Sequence, residues 1–225
     1  PAAEFPEIPK LKGDDTVSLP QNLLKDMIRQ TVFSVSQNEN KPVHTGCLFD
    51  IKDGLIKVVA VDGSRLALRT EKIETPQQEP IKFVVPGKTL NEIGKLLADS
   101  DAPAALSIGK KQIVFEIGNI TLFSRLLEGE FINYENAIPK ASKITVKVSA
   151  RDFADSVERI SLLISERLKS PIRINFGTDR IKLSCITPIG KAQDEINASI
   201  NGEQLEIGFN NRFILDALKN CEREE

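Results

Sequence analysis

The chain has 225 residues, a formal net charge of −2 and a hydrophobic share of 40%. Those figures exclude a disordered or collagen-like chain, a coiled coil, and a polycation that coats nucleic acid through net charge alone. At roughly 150 residues per domain, the length corresponds to about one and a half domains. Residues 1–15, rich in Pro and acidic side chains, read as a linker. A helix follows from about Pro20 to Ser36. Pro20 suits a first turn, and Leu23, Leu24, Met27, Ile28 and Thr31 form an apolar stripe at helical spacing. From Cys47 to Thr70 the pattern alternates, with Asp53-Gly54 as a hairpin signal. Another strand begins at Ile81. Pro86 and Gly87 open a second helix, Thr89 to about Asp99, with Leu90, Ile93, Leu96 and Leu97 inward. Three short strands occupy Ala104 to Leu127, and Glu128 to Lys143 is a connector.

The order then starts again. KITVKVS is a strand, and Ala150 to Ser165 is a helix with Phe153, Val157, Ile160, Leu163 and Ile164 apolar. A hairpin turns around Gly177, DEINASI and QLEIGFN are strands, and Asn211 to Asn220 is a helix. The matching blocks lie about 125 residues apart, an internal repeat of helix, strands, helix and strands. The first copy carries three strands after its second helix. The second reaches Glu225 directly after its second helix, so it is expected to be cut short with an open sheet edge.

The chain is poor in catalytic groups. His44 is the single histidine, so any triad, Cys-His pair or multi-His metal site must use it. A small hydrolase built on His44 and Cys47 is one alternative, although residues three apart on a strand face opposite ways. No Walker A, GxGxxG, HExxH or GxSxG pattern occurs, and no metal or cofactor is implied. Cys47, Cys185 and Cys221 lack metal-ligand spacing and fit a reducing, cytoplasmic setting. No apolar run reaches the roughly 18 residues of a membrane span. The opening PAAEFPEIP has neither the basic start nor the apolar core of a signal peptide. Tryptophan is absent and aromatics make up 5%, which disfavours a stacking platform for single strands.

Four pairs of cations sit on the helices: Lys25 and Arg29, Lys88 and Lys95, Arg151 and Arg159, Arg212 and Lys219. Their spacings place each pair on roughly one face, away from the apolar stripe. Such a face suits sequence-independent phosphate contact, as in a plain duplex-DNA-binding repeat protein. Any solvated helix face also carries Lys and Arg, with Asp26, Asp155 and Glu158 diluting the effect.

RQTVFSVSQNENKPVHTGCLFDIKDG, VAVDGSRLALR, FVVPGKTLNEIGKLL and LFSRLLEGEFINYENAIP together resemble the second domain of the bacterial sliding clamps, the beta subunit of DNA polymerase III. DFADSVERISLLISE and LEIGFNNRFILDALK resemble its third domain. The resemblance implies an α+β DNA-clamp fold, with repeated domains carrying two helices on an inner face and antiparallel sheets outside. It implies a linker over 1–15, one clamp domain over 16–140 and an incomplete one over 141–225. It implies a processivity factor without chemistry of its own, from a parent that forms a head-to-tail homodimeric ring around duplex DNA. The eight helix cations would line the hole. A groove between the two domains would take short peptides from polymerase, clamp loader and repair proteins. Its residues would be His44, Val61, Gly63, Ser64, Arg65, Leu66, Ile132, Asn136, Ala137 and Leu168, with Arg65 giving charge at the rim and Leu66 apolar wall. Ile132 and Asn133 stand where the family usually has Pro-Asp.

Overall fold

The alternating stretch after Gly46 folds into antiparallel strands, as its period of two requires. The computed structural model describes residues 15–73, 79–164 and 170–225, and the chain divides into two units, Pro1–Asn133 and Tyr134–Glu225. The division lies upstream of the boundary expected at residue 140.

The first unit runs β1 (Asp15–Pro20), α1 (Gln21–Val32), a 3-10 turn (Pro42–Thr45), β2 (Gly46–Lys52), β3 (Leu55–Val61), β4 (Leu66–Lys72), β5 (Ile81–Pro86), α2 (Gly87–Leu96), β6 (Pro103–Ile108), β7 (Gln112–Ile117) and β8 (Ile120–Arg125). Its strands form two sheets, in the orders β4-β3-β2-β5 and β1-β6-β7-β8. Helices α1 and α2 pack on each other and on the strands. Leu24, Met27 and Ile28 of α1 and Leu90 and Ile93 of α2 are buried, as helical spacing predicts. They meet a core in which Phe49 stacks on Phe83, ring centroids 5.2 Å apart.

The second unit runs α3 (Tyr134–Ala137), β9 (Thr145–Lys147), α4 (Ala150–Ser161), β10 (Ile172–Phe176), β11 (Arg180–Thr187), β12 (Gly190–Asn197), β13 (Ser199–Asn201), β14 (Leu205–Phe209) and α5 (Asn211–Lys219). The sheet orders are β12-β11-β10-β14 and β13-β9, and α4 packs on α5. The expected repeat recurs in a shared hydrogen bond. The amide of Gln21, first in α1, donates to the Ala102 carbonyl at 2.9 Å, and that of Ala150, first in α4, donates to the Glu224 carbonyl at 2.8 Å. Burial differs between the copies. β5 buries Phe83, Val84 and Val85, whereas β14 is exposed along its length, and α5 has no fully buried residue.

Several boundaries differ from expectation. The first helix ends at Val32 rather than Ser36, because Ser34 and Val35 turn back through i→i+3 bonds to Thr31 and Val32. The second begins at Gly87 and stops before Leu97, whose backbone is extended. The third ends at Ser161, and Ser165 lies outside the described residues. Asp15, read as linker, opens β1, where Val17 and Leu19 alternate inward. Residues 1–14 lie outside the described residues. DEINASI divides between β12 and β13, and the connector contains α3.

The cysteines answer the hydrolase alternative. Cys47 is fully buried, and burial pushes its thiol up to about 12, against a small opposing pull from the Thr31 hydroxyl. Burial also raises the Cys185 thiol, while Cys221 is exposed. A thiol so poorly ionised is no nucleophile. Iodoacetamide at pH 8 is therefore expected to label one thiol per native chain, at Cys221, and all three after denaturation. Intact-mass spectrometry reads the count, and rapid native labelling of Cys47 contradicts this.

Candidate functional site

One end of the sheet β4-β3-β2-β5 gathers several of the expected residues. β2 and β3 are antiparallel, with Leu48 opposite Val59. The start of β2 and the end of β3 therefore share a sheet end. His44, on the 3-10 turn before β2, and the 62–65 turn after Val61 flank it. The segment following α1 ties the two together. The Ser36 amide donates to the His44 carbonyl at 2.8 Å. Arg65 Nη2 donates to the Phe33 carbonyl at 2.6 Å, and its guanidinium lies 5.6 Å from the Phe33 ring centroid.

Asp62 organises the turn. Its Oδ1 accepts from the amides of Ser64 (2.9 Å) and Arg65 (3.1 Å), and its Oδ2 accepts from Arg65 Nε at 2.8 Å. An aspartate that receives amides two and three residues on closes a tight turn. Gly63 takes φ +90°, which a side chain would resist. The Arg65 side chain is only 16% exposed. Its charge is spent on Asp62 and Phe33, so the expectation of a charge displayed at the rim is corrected: Arg65 holds the turn to the end of α1. Val61 is buried, Leu66 is half-buried, and Gly63 and Ser64 are exposed.

His44 is half-buried, its ring edge-on to Phe131 with centroids 5.3 Å apart. Burial, then the nearby charge of Lys41, lowers its pKa, so the imidazole is neutral near pH 7. The segment carrying Phe131 crosses the 3-10 turn, with the Cβ position of Gly129 3.6 Å from Val43. Ile132 is 47% exposed. Asn136 and Ala137 are exposed on α3 of the second unit. Leu168 lies outside the described residues. Sequence reading missed Asp62, Phe33 and Phe131. An Asx turn at Asp62-Gly63-Ser64 was legible in principle, whereas the Phe33 contact is set by tertiary packing.

Most of the helix cations are already neutralised within the chain. Lys25 pairs with Asp99 (2.7 Å), Arg29 with Asp26 (3.2 Å), Lys95 with Glu92 (2.7 Å) and Lys219 with Glu158 (2.9 Å). Arg151 lies 4.0 Å from Asp155. Arg159 reaches Asp194 Oδ2 through both Nε and Nη2. Burial alone would raise the Asp194 pKa, but the bonds from Arg159 and from the Glu195 amide help to hold it low. Lys88 and Arg212 are exposed and have no acidic partner among the described residues. α1 and α2 together carry two more bases than acids, and α4 and α5 balance. The surface is mildly basic in the first unit and neutral in the second, which weakens the expectation of a uniformly basic helical face.

Two family models match the chain. The one described as DNA polymerase III beta subunit, central domain, matches residues 18–133, and the one described as its C-terminal domain matches 135–225. A Halalkalibacterium halodurans protein named Beta sliding clamp is 38% identical over 98% of this chain and 60% of its own length. Its Bacillus subtilis namesake is 35% identical over 100% of this chain and 60% of its own. The chain thus spans about 60% of the length of these curated relatives. Among solved structures, the Bacillus subtilis DNA polymerase sliding clamp gives a TM-score of 0.95 at 35% identity, covering 99% of this chain and 60% of that one. The Pseudomonas aeruginosa DNA polymerase III subunit beta gives 0.94 at 28%, covering 100% and 62%.

Proposed function

The chain belongs to the DNA polymerase III beta subunit family, and on that premise we propose that it is part of a sliding clamp that encircles duplex DNA and tethers the replicative polymerase. Processivity then comes from topology, and the protein contributes no chemistry of its own. The observation that carries this reading is the same α+β unit occurring twice, each with a helix pair packed on antiparallel strands. In a closed ring, DNA contacts are loose, phosphate-directed and salt-sensitive, because a clamp must slide. Internal ion pairing of the helix cations fits that need, since a strongly basic lining would hold the duplex in place.

Lys88 and Arg212 are then the cations with most to give to phosphate. Lys88→Glu and Arg212→Glu should each weaken duplex binding by about threefold to tenfold at low salt. Lys95→Gln, which removes a cation already engaged by Glu92, should change it less. Fluorescence anisotropy across a salt series reads both effects, and equal losses at the three positions contradict the assignment.

The same proposal assigns partner binding to the sheet end formed by His44, Val61, Gly63, Ser64, Arg65 and Leu66, which takes a short linear peptide with apolar anchors. Calorimetry with polymerase-tail peptides tests it. Weak but measurable binding that Leu66→Ala abolishes is expected, and binding indifferent to Leu66→Ala rejects the site. The family setting, with no helix among the described residues long and apolar enough to cross a membrane, supports placing the protein in the cytoplasm.

A further inference from the structure

The pairing of β13 with β9 ends on a chemically labile dipeptide. Asn201 closes β13 opposite Thr145, and Gly202 follows it. It is the one asparagine in the sequence that precedes a glycine. Both residues are exposed. The Asn201 carboxamide has no hydrogen-bond partner among the described residues, and neither has the Gly202 amide. Packing dictates the glycine. Its φ is +126°, and a Cβ there would run into the Lys143 carbonyl oxygen and come within 3.0 Å of the Ile144 Cα. The nitrogen after Asn201 therefore has no side chain to shield it.

Several other asparagines are held. Asn22 donates to Asp101 at 2.9 Å, and its Oδ1 accepts the following amide, that of Leu23, at 2.7 Å. Asn211 donates to Ser161 Oγ at 3.0 Å, and Asn220 to the Asp216 carbonyl at 2.8 Å. Asn38 and Asn210 each accept an amide two residues on, at 3.0 Å. A carboxamide fixed by such bonds resists turning its carbon towards the next backbone nitrogen. At Asn201 no bond among the described residues opposes that rotation.

We propose that Asn201 is a self-modification site, where the chain converts its own asparagine to aspartate and isoaspartate. The Gly202 nitrogen gives its proton to water or hydroxide and attacks Asn201 Cγ. A C–N bond forms, the bond from Cγ to Nδ2 breaks, and ammonia leaves with a proton taken from solvent. The product is a cyclic succinimide. Water then adds to one of its two carbonyls. Opening at Cγ gives aspartate, and opening at the main-chain carbonyl gives isoaspartate, whose backbone runs through Cβ. Either product adds a negative charge. Isoaspartate also lengthens the backbone by one carbon, as a bulge would, at the end of a three-residue ladder. β9 has no other strand partner among the described residues, and a two-stranded pairing is marginal. Lys147, last in β9, stands two residues before Ser149, whose Oγ accepts the Asp152 amide at 3.2 Å and caps α4. The modification therefore loosens the entry to α4 as the protein ages.

The test ages the full chain by warming it at pH 8 and sampling over days. Peptide mapping reads the amide-to-acid mass increment at each asparagine, and methylation by an isoaspartyl methyltransferase reads isoaspartate. Asn201 should convert at least about tenfold faster than any other asparagine, because only its neighbour lacks a Cβ. Trypsin should then cut the aged chain after Lys143 or Lys147 about threefold faster than the fresh one, since cleavage follows local opening. Asn201→Gln, whose longer arm closes a ring slowly, should age without that change. Asn201→Asp, which adds the charge without the extra backbone carbon, should be cut like the fresh parent. Conversion led by another asparagine, or an intact Asn201 after the others have reacted, overturns the proposal. Isoaspartate at Asn201 with unchanged cutting at both lysines overturns the link to α4.

Discussion

Arg65→Ala is expected to lower the unfolding free energy by about 2–4 kcal/mol and to weaken peptide binding at this sheet end by about tenfold. Three interactions go at once: the ion pair with Asp62, the charge-assisted bond to the Phe33 carbonyl, and the stacking over the Phe33 ring. Both partners of the pair are largely shielded, with side chains 16% and 13% exposed. An orphaned Asp62 therefore costs more than a surface pair would. Asp62 keeps its two amide donors, which limits the loss. Arg65→Lys should recover only part of it, because an ammonium group cannot bridge a carboxylate and a carbonyl as a planar fork does. Urea denaturation of the three proteins reads this. A change below about 0.5 kcal/mol, the usual span of a surface substitution, contradicts the role given to Arg65.

Gly46→Ala is expected to cost about 2–4 kcal/mol and to disturb the same site from the other side. Gly46 starts β2 opposite Pro86 of β5, two residues beyond His44. A Cβ there would run into the Val85 carbonyl oxygen and come within 2.8 Å of the Leu127 side chain. Its φ of −128° is open to alanine, so the penalty is steric rather than conformational. Alanine stiffens the unfolded chain and would return about 0.4–1 kcal/mol on that account, too little to offset a clash with backbone. The strands must part locally, and the 3-10 turn carrying His44 moves with them. Thermal unfolding together with the His44 ring resonances reads both consequences. An alanine variant as stable as the parent, with an unmoved His44, contradicts this packing.

What was legible in the sequence divides along physical lines. Period-two and helical stripes placed the main strands and the four longer helices, because burial of one face dictates both patterns. The repeat was legible too. Had DTVSLPQNLLKD been set against ITVKVSARDFAD, β1 would have been found before α1 as β9 was before α4. The helix ends were not legible. Arg65 reaches across 32 residues to the Phe33 carbonyl, where the chain has already left α1, and no local propensity encodes that. The same holds for charge. Spacing placed cations on exposed helix faces, but the pairing of Arg159 with Asp194 and of Lys25 with Asp99 depends on side chains far away in the chain. The resemblance marked Arg65 as a rim residue, and only geometry revealed its use inside the turn.

Encirclement is tested most directly on closed and cut DNA. The polypeptide carrying this chain, fluorescently labelled and loaded by its clamp loader onto a nicked circular plasmid, should survive washing at about 0.5 M salt, which strips phosphate-directed binding. A single double-strand cut should then release it, because a ring slides off a free end. Retention on the cut plasmid, or loss from the uncut circle as salt rises, would contradict a topological link and favour an ordinary duplex-binding repeat protein.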